Sequence, residues 1–248
     1  MCLLALFFRV VEDGPVVVGA NREEMYARGG EPPRILDGAC PALAGVDPVA
    51  GGTWLGVNAR GLLVAITNRL KTSPPRQPRS RGLLARELLA CPGAAAASEL
   101  AGRELGKNLY AGCNLLCVDR DAAFAIHAGD WLRVRPLPPG LHIMTAHDVN
   151  DASDRRLGHA LWWLSQRSYA NGEQCAAALK ELCAQPGNGD PPICLHGERG
   201  GTVSSTVVIL HSSSPRSSYW HAQGPPDRTP YDDYSNQLRH LLAGVKRA

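Results

Sequence analysis

The sequence predicts an α+β fold, a four-layer αββα sandwich of two antiparallel sheets with helices outside, in one domain spanning 1–248. Three observations carry this. Short β-prone runs come in groups separated by two pairs of helical stretches, and grouped strands with grouped helices favour stacked layers over alternating βαβ units. The chain opens on an apolar hairpin. Its composition is globular: 248 residues, 44% hydrophobic and 20% charged, long enough for a sizeable core.

The hairpin runs from Cys2 to Val11, turns at Glu12-Asp13-Gly14, and returns through Pro15 to Gly19. Pairing Val11 with Pro15 places Cys2 opposite Glu24, or opposite Glu23 or Met25 with one residue of slip. The polar string Asn21-Arg22-Glu23-Glu24 is thereby delivered to the N-terminus. Alternation sends Asn21 and Glu23 to one face, Arg22 and Glu24 to the other.

Residues 51–68 read as two strands joined at Asn58-Ala59-Arg60-Gly61. The basic stretch 69–81 is rich in Pro and Ser and reads as a mobile loop, or as a rim that attracts an anionic ligand. Residues 82–90 and 94–107 are Ala- and Leu-rich with helical spacing, broken at Pro92-Gly93. Four short runs, 114–118, 122–127, 131–134 and 141–145, suit a meander. Helices are expected over 153–168 and 173–183, strands over 203–210 and 218–221, and a last helix over 231–243.

Charge and motifs exclude several function classes. The net charge of +3 comes from scattered Arg. The basic stretch lacks interleaved aromatics, which argues against nucleic acid. No run approaches the roughly 18 apolar residues of a membrane span. The opening apolar run lacks the basic segment and cleavage site of a signal peptide, so the expectation is a cytoplasmic protein with free cysteines. Cys113 with Cys117 and Cys175 with Cys183 read as small core hydrophobes, and the eight histidines, His147 and His196 among them, show no ligand spacing. No metal or cofactor is expected.

Cys2 is the candidate for chemistry. Aminopeptidases remove Met ahead of small side chains, which would leave a cysteine whose thiol and α-amine sit on one residue. A thiol of pKa near 8.5 beside an amine near 7.7–8.0 is a nucleophile with its own base. The alternative is that Cys2 simply starts a buried strand.

Cys2, the string Ala20-Asn21-Arg22-Glu23-Glu24, the stretch from Gly51-Gly52-Thr53-Trp54-Leu55-Gly56-Val57-Asn58 to Ala65-Ile66-Thr67-Asn68, and Gly201-Thr202-Val203-Ser204-Ser205-Thr206-Val207 together resemble the NRDE proteins. This is the transport and Golgi organisation 2 family, itself similar to the N-terminal nucleophile hydrolases that cleave amides through an N-terminal Cys. The resemblance implies that fold, and amide hydrolysis on a small acylated substrate, with Cys2 as nucleophile, Arg22 and Glu23 orienting the terminal amine, and Asn68 or Asn114 donating to the oxyanion. Asn21, Glu24, Trp54, Asn58, Asn114 and His147 are the expected binding positions. Three positions depart from the pattern: Glu23 stands for Asp, Ala146 for the hydrolases' oxyanion-holding Asn, and Val203 for Arg. Losing one oxyanion donor costs about 10²–10³ in rate. The family also implies a second class, a non-catalytic carrier of haem, acyl-coenzyme A or lipid that uses the same cleft.

Overall fold

The computed structural model describes residues 2–244. In chain order the strands begin Leu3–Phe8 (β1), Val16–Met25 (β2), Glu31–Leu36 (β3), Ala42–Val46 (β4), Leu55–Asn58 (β5) and Leu63–Asn68 (β6). After helices Arg81–Leu88 (α1) and Ala94–Gly106 (α2) come Cys113–Val118 (β7), Ala123–Ala128 (β8), Leu132–Pro136 (β9) and Gly140–Met144 (β10). Helices Arg155–Ser165 (α3) and Gly172–Cys183 (α4) lead to Gly200–Leu210 (β11), Ser218–Ala222 (β12), Asp232–Asp233 (β13) and the helix Ser235–Ala243 (α5). One antiparallel sheet runs β10-β1-β2-β11-β12-β13, the other β3-β4-β5-β6-β7-β8-β9.

Alternation along β1 shows why the sheets stack. Leu4, Leu6 and Phe8 join the core between the sheets with Val16, Leu43, Leu55 and Leu116. Leu3, Ala5 and Phe7 point the other way and pack with Leu157 and Leu164 of α3 and Leu179 of α4. The second sheet repeats the arrangement, with Leu84 and Leu88 of α1 and Ala97 and Ala101 of α2 covering Val64, Leu115 and Cys117. The layers are therefore helices, sheet, sheet, helices. No helix among the described residues is long and apolar enough to cross a membrane.

The hairpin forms, with a different register. Leu3 faces Asn21 and Phe8 faces Val16, so one further step sets Cys2 opposite Arg22. The expected turn was too short. Arg9 takes a φ of 51° and ends the strand, and its amide donates to the Pro15 carbonyl at 2.7 Å. Because the shift is two residues, every side chain keeps its expected face.

The meander is three strands, not four. Gly140–Met144 leaves β7-β8-β9 and pairs with β1, Leu4 facing Met144, because its buried residues, Ile143 and Met144, are used by the first sheet's two faces. β3 and β4 carried no expectation. β3 contains Pro32-Pro33, tolerated because it is an edge strand. The last helix starts four residues late, since Asp232 and Asp233 instead pair with β12.

Candidate functional site

β2 lies between β1 and β11, so Asn21 to Glu24 run down the middle of a sheet to its end. On the helix side, the buried Asn21 donates through Nδ2 to the Cys183 carbonyl at 2.8 Å and the Ile193 carbonyl at 3.1 Å. Glu23 lies on the same side. Its Oε1 accepts from Arg156 Nη2 at 2.8 Å and Thr202 Oγ1 at 3.3 Å, while Oε2 is buried with no hydrogen-bond partner among the described residues. Arg156 is delivered by the first turn of α3, whose N-cap Asp154 accepts from the Arg156 and Leu157 amides.

The opposite face of β2 is built from charges. Arg22 lies 4.3 Å over the Trp54 ring, donates from Nη1 to the Gly29 carbonyl at 2.5 Å, and reaches Glu24 at 3.5 Å. Arg28 holds Asp47 with two hydrogen bonds, 3.2 and 2.7 Å, and approaches Glu24 at 3.7 Å. Such a planar fork against a carboxylate fixes direction as well as charge.

Cys2 sits where these faces meet. It is partly buried, its Sγ 3.8 Å from the Glu23 carbonyl oxygen. It lines a cavity of about 370 Å³ together with Arg22, Glu23, Glu24, Trp54 and Asn68, all expected site residues, and with Arg28, Asp47, Arg79, Ser80 and Arg81. The Gly-Gly-Thr-Trp segment explains the wall. A Cβ at Gly52 would come 2.3 Å from the Gly82 carbonyl carbon, and the Thr53 amide donates to the Gly82 carbonyl at 3.0 Å. Glycine thus lets the start of α1 close on the cavity. Of the basic stretch, Pro78 to Arg81 line the cavity, and the stretch is tied down: Arg69 pairs with Asp148 at 2.7 Å, Thr72 bonds Asp130, and Arg81 donates to the Gly112 carbonyl at 2.7 Å.

Burial pushes the Cys2 thiol up to about 11, the Glu23 carboxylate adds to the rise, and the nearby Arg22 opposes it. Burial likewise raises Glu23 to about 6, against the pull of Arg156. Arg22 is lowered by its own desolvation. A thiol in this environment is protonated at neutral pH and attacks only with a base at hand. Met1, and with it the terminal amine, lies outside the described residues.

Four expected site residues do not reach the cavity. Asn58 is buried in its own turn, bonded to the Leu89 and Cys91 carbonyls and the Arg60 and Leu62 amides. Asn114 ties the sheets together: Nδ2 donates to the Thr145 and His147 carbonyls, both at 3.0 Å, and Oδ1 meets Arg69 and His127. Asn21 anchors α4, as above. The His147 ring is about half exposed, 3.9 Å from Asp151. Residue types suited to an oxyanion hole are equally suited to satisfying buried carbonyls, and here the second use holds for Asn58 and Asn114.

β10 ends at Met144, facing Leu4, and beyond it the Thr145 and His147 carbonyls both turn to Asn114. Ala146 lies in this turn, where the resemblance implies an oxyanion-holding Asn. Val203 is the extra residue of a bulge in β11, opposite the step from Arg22 to Glu23. Arg28, Asp47 and Arg156 carried no local signal in the sequence, while Thr202 stood in the Gly201-Thr202 motif without an assigned role.

A second cluster also escaped the spacing rules. His196, expected to be one of the dispersed histidines, meets Cys194 and Asp227.

The family model described as transport and Golgi organisation 2 matches residues 1–184. The human transport and Golgi organization protein 2 homolog is 33% identical over 111 residues, 44% of this chain and 40% of that protein. The Bos taurus homolog is 34% identical over 110 residues, 43% of this chain and 40% of its own length. The matched stretch thus spans less than half the length of either relative. Among solved structures, a Caenorhabditis elegans ortholog of N-acylethanolamine-hydrolyzing acid amidase superposes with a TM-score of 0.59 at 13% identity, covering 84% of this chain and 92% of that one. Penicillin V acylase from Agrobacterium tumefaciens gives 0.57 at 14% identity, covering 94% and 86%. At such identities the likeness shows the fold, and with the matched family model it leads to one statement: the chain belongs to the transport and Golgi organisation 2 family and has the fold of the N-terminal nucleophile hydrolases.

Proposed function

We propose that the cavity around Cys2 hydrolyses the amide C–N bond of a small acylated substrate. The observation that carries the reading is Glu23: a buried carboxylate at the cavity, one oxygen held by Arg156, the other without a partner among the described residues, beside the Cys2 thiol. Removal of Met1 would place an α-ammonium on Cys2 next to that oxygen. The neutral amine then takes the thiol proton, Sγ attacks the carbonyl carbon, and the same amine returns the proton to the leaving nitrogen, giving an S-acyl enzyme that water hydrolyses. Asn68, at the cavity wall, donates to the oxyanion. Arg22, Arg79 and Arg81 favour substrates with a negative group. The names of the solved amidase and acylase neighbours agree with this class of chemistry.

Ala146, standing where the resemblance implies an oxyanion-holding Asn, favours a second reading, in which the same cavity carries haem, acyl-coenzyme A or lipid without turnover. Intact mass after incubation with N-acyl amides, acyl-coenzyme A and haem separates the two. Acylation at Cys2, abolished in Cys2→Ala, supports the hydrolase; saturable binding with no mass gain supports the carrier. A chain that keeps Met1 and gains no mass refutes the hydrolase.

A further inference from the structure

We propose that Cys194, His196 and Asp227 form a zinc site, three protein ligands with an open fourth position, beside a cavity that shares Glu23 and Glu24 with the Cys2 cavity.

The local backbone aims these side chains at one point. Leu195 is clamped by Thr202, its amide donating to Thr202 Oγ1 at 2.8 Å and its carbonyl accepting from the Thr202 amide at 2.8 Å. His196 bridges Gly201. In an extended segment, residues flanking a fixed one point to the same side, so Cys194 and His196 share a side. Asp227 comes from the loop between β12 and β13, within a turn where the Arg228 and Thr229 amides both bond the Pro225 carbonyl.

The distances match a chelate. Cys194 Sγ lies 3.8 Å from His196 Nε2 and 3.3 Å from Asp227 Oδ1, and His196 Nε2 lies 2.9 Å from Asp227 Oδ2. Tetrahedral zinc, with bonds near 2.3 Å to sulfur and 2.0–2.1 Å to nitrogen and oxygen, separates its ligand atoms by about 3.3–3.6 Å. The three ligand atoms lie within 4.8 Å of one another, and a small rotation of the Asp227 carboxylate that turns one oxygen toward both partners would complete the geometry.

A Cys-His-Asp catalytic triad is the obvious competitor, and the geometry opposes it. A triad needs the imidazole to use one nitrogen for the acid and the other for the nucleophile. Here Nε2 faces both Cys194 and Asp227. Asp227 turns Oδ1 to Cys194 and Oδ2 to His196, and one ligand atom from each of the three residues lies within 4.8 Å of the others, a spacing one metal ion can span.

The donor set selects the ion. A thiolate with an imidazole suits zinc and disfavours magnesium and calcium, which take oxygen ligands. Cys194 is buried, while His196 and Asp227 are partly open, with side-chain exposures of 28% and 15%. Cys194 and His196 line a cavity of about 630 Å³, from which water or another ligand can take the fourth place. As the zinc–sulfur bond forms, the Cys194 thiol releases its proton to solvent. Arg228, 3.5 Å from Asp227 and mostly exposed, is the competing cation and is free to swing away.

The test is cobalt and zinc titration of the full chain after chelator treatment. One Co²⁺ per chain should give tetrahedral d–d bands with a thiolate-to-cobalt charge-transfer band, displaced by Zn²⁺. Cys194→Ser should abolish the charge-transfer band. His196→Ala and Asp227→Asn, both at partly exposed positions, should weaken binding by more than about 100-fold, beyond what losing a merely orienting neighbour costs. Zn²⁺ should raise the melting temperature of the wild type and leave that of His196→Ala unchanged. No saturable binding at one ion per chain, or less than tenfold weakening in His196→Ala, overturns the proposal.

Discussion

Arg156 Nη2 lies 2.8 Å from Glu23 Oε1, joining the first turn of α3 to the central strand of the first sheet across 133 positions of sequence. The two side chains are 15% and 3% exposed. Burial disfavours the charged carboxylate, and the guanidinium restores much of that loss. A pair so enclosed contributes little over an apolar substitute, yet breaking it leaves an uncompensated charge.

Arg156→Ala should therefore destabilise the protein by about 3–5 kcal/mol at pH 8. The sign of the pH dependence follows from Glu23, raised from 4.5 to about 6. A raised carboxylate binds its proton more tightly in the folded state, so its contribution is fully present below 4.5 and is lost as pH rises through 6. In Arg156→Ala the upper edge of this window should move above 6. Urea unfolding at pH 5 and pH 8 checks it: the deficit should be smaller at the lower pH.

Glu23→Gln addresses the thiol. The Glu23 charge helps hold Cys2 up near 11, so in a chain retaining Met1 its removal should lower the thiol's pKa and speed alkylation at pH 8. In a chain beginning at Cys2 the same change should reduce amidase turnover, because nothing then holds the α-ammonium. Peptide mapping after limiting iodoacetamide on the Met1 form reads the first effect, and turnover of an N-acyl amide by the Cys2 form reads the second. Slower labelling in the Met1 form would show that Glu23 acts on Cys2 by something other than its charge.

Asn68 and Asn114 should part company. Asn114→Ala removes the donor to the Thr145 and His147 carbonyls and the Oδ1 that meets the buried His127 ring, and should cost about 2–4 kcal/mol. Asn68, exposed at the cavity wall, should change stability by less than about 0.5 kcal/mol on substitution by Ala and lower turnover by about 10²–10³. Thermal unfolding and kcat on the same samples decide between the roles.

Gly45→Ala tests the seat of Trp54. A Cβ at Gly45 would meet the indole at 2.4 Å, so the ring must move and Arg22 loses its stacking partner. A loss of about 1–3 kcal/mol is expected, with altered tryptophan fluorescence and weaker substrate retention by the cavity.

Much of this was legible in the chain. The alternation of Leu3 to Phe8, the helical spacing over α1 to α4 and the clustering of strands specify two buried sheets with helices outside, because apolar periodicity is a local property. The motif residues Cys2, Arg22, Glu23, Glu24, Trp54 and Asn68 were found by type and do share a cavity. What failed depended on distance. The hairpin register turned on whether Arg9 could take a positive φ and close onto Pro15, which hydrophobic pattern does not record. The strand Gly140–Met144 looks the same whether it continues a meander or crosses to β1.

The sequence by itself determined the faces: a two-residue slip left Asn21 and Glu23 on the helix side and Arg22 and Glu24 on the other, since strand period is two. Only the tertiary structure decided partners. Arg156 reaches Glu23, Asp47 reaches Arg28, and Asp227 reaches His196 across long gaps in the chain. It also removed Asn58 and Asn114 from the cavity, because a buried amide goes first to the carbonyls that folding would otherwise leave unsatisfied.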